Sequence, residues 1–189
     1  MDFMKKLRIL VLAAALTLSF LLTGCSGKAE HWAYNHEPDK DALVLYENGK
    51  AVFKDVEYTY TRDDTFINLT DQSGETVPHR YVKDDAHEQI YFYEPALYHR
   101  NEGSEGEGII GMWTQDNGRN QFQFSKEGTF SEENIFFGNY LVDEEAGTIK
   151  LMYSDPIEDT LLYYTLDGDD LKIDYPWPMV KTGSVKEKK

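Results

Sequence analysis

The sequence is poor in cysteine and in basic residues, and each shortage excludes a class of protein. A single cysteine, Cys25, among 189 residues excludes a disulfide scaffold and a cysteine-based zinc site. Only 19 Lys and Arg residues stand against 34 Asp and Glu, so the formal net charge is −15. Because nucleic acids and anionic lipid headgroups are bound through Lys and Arg, we expect neither to be a partner.

Long hydrophobic runs are also missing, except near the N-terminus. The run from Ile9 to Leu22 has 14 residues, fewer than the roughly 20 that a transmembrane helix needs. Lys5, Lys6 and Arg8 precede it and the small residues Thr23-Gly24 follow it, which is typical of a secretory signal. We therefore predict that residues 1–24 are a signal peptide and take no part in the fold.

Cys25 follows this segment directly, in the tetrapeptide Leu22-Thr23-Gly24-Cys25. The tetrapeptide resembles a bacterial lipobox, which implies that Cys25 is thioether-linked to diacylglycerol after the signal peptide is removed. The resemblance predicts a lipoprotein anchored at the extracytoplasmic face of the cell membrane. Two acyl chains give stable anchoring where one gives only marginal binding. Cys25 is then the lipidation site, and no thiol remains for catalysis.

The remaining chain divides by composition. Residues 25–41 are polar and are predicted to tether the domain to the bilayer. The Gly- and Glu-rich residues 102–110 predict a linker between a first β meander, 42–101, and a second, 111–180. Residues 181–189 are predicted to be a disordered tail. The chain has 13 Tyr, 10 Phe and 3 Trp, and its short alternating runs between turn residues favour strands throughout.

The two meanders repeat one pattern at a period of roughly 80 residues. Trp32 and Trp113 each precede a turn glycine, Gly49 and Gly128. In both copies a tyrosine strand, an alternating strand and a strand–acidic turn–strand unit follow. These segments are 60–64, 65–69 and 81–91 in the first copy, and 140–144, 148–152 and 164–174 in the second. The order and the spacing indicate an internal duplication.

The second copy carries further motifs: Phe124-Ser-Lys-Glu-Gly-Thr-Phe130, Gly138-Asn-Tyr140, Ile149-Lys-Leu151, Tyr163-Tyr-Thr165 and Asp167-Gly-Asp-Asp-Leu171. They resemble the small lipocalin-like domains of lipoproteins from Gram-positive bacteria. The resemblance implies an all-β fold, an antiparallel up-and-down meander forming a lipocalin-like barrel built from two similar halves. Two separate small barrels are the alternative. The resemblance implies no catalytic residue in this sequence.

Candidate sites for chemistry compete with simpler structural roles. Asp167, Asp169 and Asp170 could suggest calcium, but they also explain a hairpin turn, as do the pairs Asp63-Asp64 and Asp84-Asp85. Two of the five histidines, His79 and His99, could meet on neighbouring strands, whereas a zinc site needs three or four ligands. The other three histidines are His31, His36 and His87. We expect no metal and no cofactor.

Hydrolase and kinase motifs are absent from the sequence, and we predict that the protein is not an enzyme. Adjacent aromatic residues place one ring on each face of a strand, so one ring of each pair is left to mark a binding site. Such residues are Tyr91-Phe92-Tyr93, Phe136-Phe137 and Tyr163-Tyr164. The rigid segment Tyr175-Pro-Trp-Pro178 is predicted to plug the barrel at the end of its last strand.

Two functions remain open. The protein either binds a small apolar or amphiphilic ligand or an envelope component, or it is an accessory protein that binds another envelope protein. The first predicts an enclosed cavity lined by aromatic side chains. The second predicts a contiguous apolar patch on the surface.

Overall fold

Residues 28–182 are described in the computed structural model, and they form fourteen strands joined by turns and loops, with no helix among them. Cys25 and the predicted signal peptide lie outside the described residues. The strands, in chain order, are β1 (Ala29–Tyr34), β2 (Asp41–Tyr46), β3 (Lys50–Phe53), β4 (Val56–Arg62), β5 (Phe66–Thr70), β6 (Thr76–Asp84), β7 (Gln89–Arg100), β8 (Gly111–Gln115), β9 (Gln121–Phe124), β10 (Thr129–Glu132), β11 (Phe136–Asp143), β12 (Thr148–Tyr153), β13 (Thr160–Asp167) and β14 (Asp170–Thr182).

Alternation of apolar and polar side chains accounts for these strands. In β12, Ile149 and Leu151 are fully buried, whereas Lys150 between them is exposed. Successive side chains of a strand point to opposite faces, so this pattern fixes which face is buried. Glycines with positive φ close the tight turns, as Gly49 does at φ 80° and Gly128 at φ 79°.

Every strand pairs antiparallel with its neighbour in the chain, and β1 pairs with β14, so that the sheet closes into a ring. A second pairing crosses the ring, where β7 and β14 run antiparallel over eleven residue pairs, from Asp170 opposite His99 to Val180 opposite Gln89. This pairing divides the ring into two lobes. The first lobe contains β1–β6 with the N-terminal part of β7 and the C-terminal part of β14. The second lobe contains β8–β13 with the remaining parts of both strands.

Each lobe has its own hydrophobic cluster. Phe92, Leu43 and Ile67 belong to the cluster of the first lobe. Trp113, Phe122 and Leu162 belong to the cluster of the second. The all-β, antiparallel meander predicted from the sequence is therefore confirmed. The interior differs from the expected single enclosed space, because β7 and β14 have 12 and 13 residues and are long enough to bridge the ring.

Three prolines explain why the sequence does not predict the full length of β7 and β14. Proline lacks the N–H that a central strand must donate, so it normally indicates a strand edge or end. Pro95 on β7 and Pro176 and Pro178 on β14 lie in the middle of the crossing pair. At this point β7 has left β6 and not yet reached β8, and β14 lies between its pairings with β13 and β1. The prolines thus occupy local edge positions inside long strands.

The structure corrects two boundaries and the role of one segment. Residues 25–41 do not act as a tether throughout, because β1 occupies Ala29–Tyr34 and pairs with both β2 and β14. Lys181 and Thr182, which were predicted to belong to the tail, are part of β14, and residues 183–189 lie outside the described residues. Residues 175–178 are not a plug, because they are part of β14 and pair with β7. No helix in residues 28–182 is long and apolar enough to span a membrane.

Candidate functional site

An open cleft of about 790 Å³ lies along the second lobe and reaches the point where the two lobes meet. Its wall includes Arg80 of β6, Tyr163 of β13, and Lys172 and Asp174 of β14. Strand alternation places these side chains on the outer face. Their neighbours His79, Leu162 and Ile173 are buried. Alternate side chains of β6, β13 and β14 therefore fill the lobes, and the side chains between them line the cleft.

Arg80 is held in place by aromatic rings. Its guanidinium carbon lies 3.9 Å from the centre of the Tyr163 ring and 4.7 Å from that of Phe66. Such cation–π contacts fix the plane of a guanidinium without using its N–H donors. Within residues 28–182, Arg80 forms no salt bridge, and its buried Nε has no hydrogen-bond partner. The positive charge of Arg80 is therefore not neutralised by an ion pair within the described part of the chain.

Asp174 supplies an acceptor in the same cleft. Its Oδ1 is buried and has no hydrogen-bond partner in the described part of the chain. Burial raises the pKa of this carboxyl, and the charges of Lys172 and Arg80 oppose the rise only in part. Lys172 is the nearer cation, with its Nζ 3.9 Å from Oδ1. Unpaired buried polar groups are costly, which makes a ligand that satisfies them favourable.

The arrangement suits a ligand that both donates and accepts hydrogen bonds. Hydroxyl and amide groups do both, and could accept from Arg80 while donating to Asp174. Tyr140 and Tyr164 extend the lining with aromatic surface. The cleft is therefore chemically equipped for binding a polar, ring-containing molecule.

His79 and His99, the two histidines that neighbouring strands could have brought together, have separate surroundings in the two lobes. His79 is buried in the first lobe, where its ring stacks on Phe92 and its Nδ1 lies 3.1 Å from the carbonyl oxygen of Tyr93. Desolvation lowers the pKa of His79. His99 is on the surface of the second lobe, with Asp170 2.6 Å from Nδ1 and Asp116 2.5 Å from Nε2. The hydrogen bond to Asp170 is the largest cause of a raised His99 pKa.

The remaining histidines and the acidic turns have local partners. His31 bonds Asp41 at 2.6 Å, and His87 bonds Asp84 at 2.8 Å. His36 stacks on Tyr34. Asp169 pairs with Arg100 at 2.9 Å, and the carboxylate of Asp63 accepts two backbone N–H bonds. Among residues 28–182, no group of three or more His, Cys, Asp or Glu side chains is arranged to hold a metal ion.

The paired aromatic residues divide between the core and the surface. Phe92 fills the first lobe, and Tyr93 is buried on the other face, 5.3 Å from the ring of Tyr163. The ring of Tyr163 in turn packs against the guanidinium of Arg80. Phe137 is half exposed on β11, and Leu141, four residues further along the same strand face, is exposed as well. Trp177 is 38% exposed and packs its edge against Tyr34.

Sequence reasoning singled out Tyr163 and Tyr164 but missed Arg80, Lys172 and Asp174. The sequence does contain a signal for these three residues, because each is charged and occupies an outward position of a strand whose inward residues are apolar. Ordinary surface positions give the same pattern, however, and only the folded sheet shows that these three share a cleft.

Large side chains at the centre of each lobe are fully buried: Phe92 and Trp113 are 0% exposed. The cleft described above opens to solvent. No family model, no curated protein and no solved structure matches the chain.

Proposed function

We propose that the protein is a lipid-anchored, extracytoplasmic binding protein that holds an envelope glycan in the cleft between its lobes and performs no catalysis. The observation that carries the proposal is the pair of unpaired, buried polar atoms, Nε of Arg80 and Oδ1 of Asp174. Sugar hydroxyl and acetamido groups can accept a hydrogen bond from the first atom and donate one to the second. The partners are then the membrane, through lipid on Cys25, and a component of the envelope.

The open cleft favours this ligand over a small apolar molecule. An apolar ligand is best held in an enclosed cavity of some hundreds of Å³, whereas the cleft lined by Arg80 and Asp174 opens to solvent. A polyanionic polymer is disfavoured for a different reason, since the net charge of −15 repels it and Asp174 stands beside Arg80. A neutral glycan meets neither obstacle.

The lipocalin-like fold with two similar halves is part of the proposal, and hydrogen bonds support it. In the first lobe Tyr60 donates its amide to the carbonyl of Gly49 at 2.8 Å and its hydroxyl to the carbonyl of Tyr46. In the second lobe Tyr140 donates its amide to Gly128 at 2.9 Å and its hydroxyl to Ser125. The same two tyrosine hydrogen bonds therefore close the corresponding turn in each lobe.

The strand register supports the duplication independently. Trp32 of β1 lies opposite Lys181 of β14, and Trp113 of β8 lies opposite Arg100 of β7. The two pairings are related by the same shift of 81 residues, from Trp32 to Trp113 and from Arg100 to Lys181. The matched strands also agree in length, since β1 and β8 have 6 and 5 residues and β7 and β14 have 12 and 13. A shared register in strands of similar length is what duplication of one barrel-forming unit predicts.

The experiment is a calorimetric titration of the detergent-extracted protein with the soluble glycan fraction released from bacterial envelopes by enzymatic digestion. Arg80→Gln removes the charge and shortens the donor, and one lost charged hydrogen bond costs about 1.5–3 kcal/mol, so affinity should fall at least about tenfold. Arg119→Gln is the matched control, because Arg119 is exposed in the β8–β9 turn. Equal affinity of both variants would contradict the proposal.

The second candidate is an accessory protein that binds another envelope protein. The observation in its favour is a group of exposed apolar side chains in and beside β11: Ile135 at 70%, Leu141 at 61% and Phe137 at 52% exposure. Exposed apolar side chains gathered on one strand can mark a protein interface. Leu141→Ser should then abolish recovery of a partner in cross-linked envelopes, while leaving glycan affinity unchanged.

A further inference from the structure

A second open cleft, of about 600 Å³, lies in the gap that β13 and β1 leave along one edge of β14. β13 pairs with β14 only as far as Asp174, and β1 pairs with it only from Met179 onwards. Pro176 and Pro178 of β14 line the cleft in this gap. Because proline has no backbone N–H, this stretch of edge does not favour the addition of another strand. The gap therefore stays open as a cleft.

Tyrosine rings form the apolar part of this cleft. Tyr91 and Tyr93 of β7 line it and lie opposite Pro178 and Pro176 in the ladder. Phe92 between them is buried in the first lobe, so both tyrosines project from the outer face. Tyr91 is only partly buried, which leaves ring surface for a ligand. An aromatic ring packs against the apolar C–H face of a sugar and keeps its hydroxyl at the edge for hydrogen bonding.

Uncharged polar side chains surround the rings. Asn35, Gln89 and Thr160 line the cleft and carry amide and hydroxyl groups. The Nε2 of Gln89 lies 3.3 Å from the hydroxyl oxygen of Tyr91, which holds the ring in position. Amide and hydroxyl groups both donate and accept hydrogen bonds, as the hydroxyl groups of a sugar do. The lining thus combines a stacking surface with a polar rim.

The charge of this cleft is negative. Glu158 and Asp159 are the charged residues of its lining within the described part of the chain. Asp159 is paired with Lys150 at 2.9 Å, whereas Glu158 has no salt bridge among residues 28–182. An acidic sugar would be repelled here, and a neutral or amino sugar would not.

This cleft, named the Tyr91 cleft, adjoins the one lined by Arg80 and Asp174, named the Arg80 cleft. Leu161 of β13 lines the Tyr91 cleft, and Tyr163, two residues further on the same face, lines the Arg80 cleft. Pro176 and Asp174 of β14 are related in the same way. Alternate residues of a strand are only about 7 Å apart. One face of β13 and β14 therefore carries both clefts, side by side.

We infer that the Tyr91 cleft is a further subsite for the ligand of the Arg80 cleft, so that the ligand is an oligosaccharide with neutral or amino sugars at this end. The inference rests on the proposed function, because the Arg80 cleft supplies the polar anchor. The six residues from Lys172 to Pro178 span about 20 Å of extended strand, which is several sugar rings long. One unit is held by hydrogen bonds to Arg80 and Asp174, and another by contact with the ring of Tyr91.

The test compares disaccharide and hexasaccharide size fractions of the soluble envelope glycan in calorimetric titrations of the detergent-extracted full-length protein. The wild type should bind the hexasaccharide fraction at least about tenfold more tightly, since the longer ligand gains an aromatic anchor. Tyr91→Ala should remove that gain and leave the affinity for disaccharides unchanged. Tyr91→Phe should keep the gain, because the ring remains.

Leu161→Ala and Leu97→Ala form a matched pair of variants. Their side chains are 42% and 37% exposed, and in the described structure only Leu161 lines the Tyr91 cleft. Leu161→Ala should weaken hexasaccharide binding about threefold or more, through the loss of apolar contact area. Leu97→Ala should leave the binding of both fractions as it is in the wild type.

Equal affinity of the wild type for the two fractions would overturn the subsite and leave the Arg80 cleft as the glycan site. A Tyr91→Ala variant that loses affinity equally for both fractions would also overturn it, because the ring would then support the fold and not a distant sugar. If neither fraction binds to the wild type, the subsite and the proposed function both fail.

Discussion

Gly138 of β11 is a glycine whose role is close packing and not backbone conformation. Its φ is not in the left-handed region, so an alanine would suffer no backbone strain there. A Cβ at this position would lie 2.1 Å from the carbonyl oxygen of Met152 and 2.9 Å from the ring of Phe130. Gly138→Ala therefore tests whether β10, β11 and β12 approach each other as closely as the fold requires.

The magnitude follows from which neighbours must move. Overpacking costs typically 1–3 kcal/mol, and the upper part of that range applies where the obstacle is backbone. Here one obstacle is the carbonyl of the paired strand and the other a buried ring, so we expect a loss of about 3 kcal/mol in the free energy of unfolding. For a domain of this size, 1 kcal/mol shifts the melting temperature by about 2–4 °C. The expected drop is about 6–12 °C.

The assay is urea and thermal unfolding of the wild type and Gly138→Ala, followed by circular dichroism. Gly74→Ala is the matched control, because Gly74 has φ 90° but nothing lies within 4 Å of its added Cβ. The control should lose only about 1–2 kcal/mol, from the left-handed backbone. The reasoning is refuted if Gly138→Ala unfolds like the wild type, or if Gly74→Ala is the less stable of the two variants.

Three further outcomes are expected. His99 should titrate above the usual histidine range in an NMR pH titration, and Asp170→Asn should lower its pKa, because the Asp170 hydrogen bond is the main cause of the shift; no change on substitution would contradict this. The pKa of buried His79 is lowered, so the unfolded state takes up its proton first and urea stability should fall as pH drops below about 6.5; a His79→Phe variant with an unaltered pH dependence would argue against it. Leu162→Ala, at a fully buried site, should lose about 2–5 kcal/mol, whereas Leu97→Ala, at a 37% exposed site, should lose much less; similar losses would mean that the second core is not packed as described.

Much of the fold could be predicted from the sequence because period-two alternation is a local signal. The turns at Gly49 and Gly128 and the strands beside them follow from it directly. Two features escaped because they are not local. The extension of β14 through Pro176 and Pro178 depends on the gap between its neighbours, and the strand at Ala29–Tyr34 depends on pairing with residues at the far end of the chain.

The site was harder to predict than the fold. Tyr163 drew attention as one of a pair of aromatic residues, but Arg80 and Asp174 are separated by more than ninety residues and look like ordinary outward positions. Their shared cleft follows from the crossing of β7 and β14. A single sequence carries no signal for that crossing, because it depends on which long strands pair across the ring.

The most direct test of the central claim is the Nε–H signal of Arg80 in NMR spectra recorded while the envelope glycan fraction is added. Because this N–H has no partner in the described part of the protein, we expect a saturable shift of the Arg80 signal, with the Arg119 signal unchanged. An Arg80 signal that does not move at saturating glycan would contradict the claim that the cleft between the lobes is the binding site.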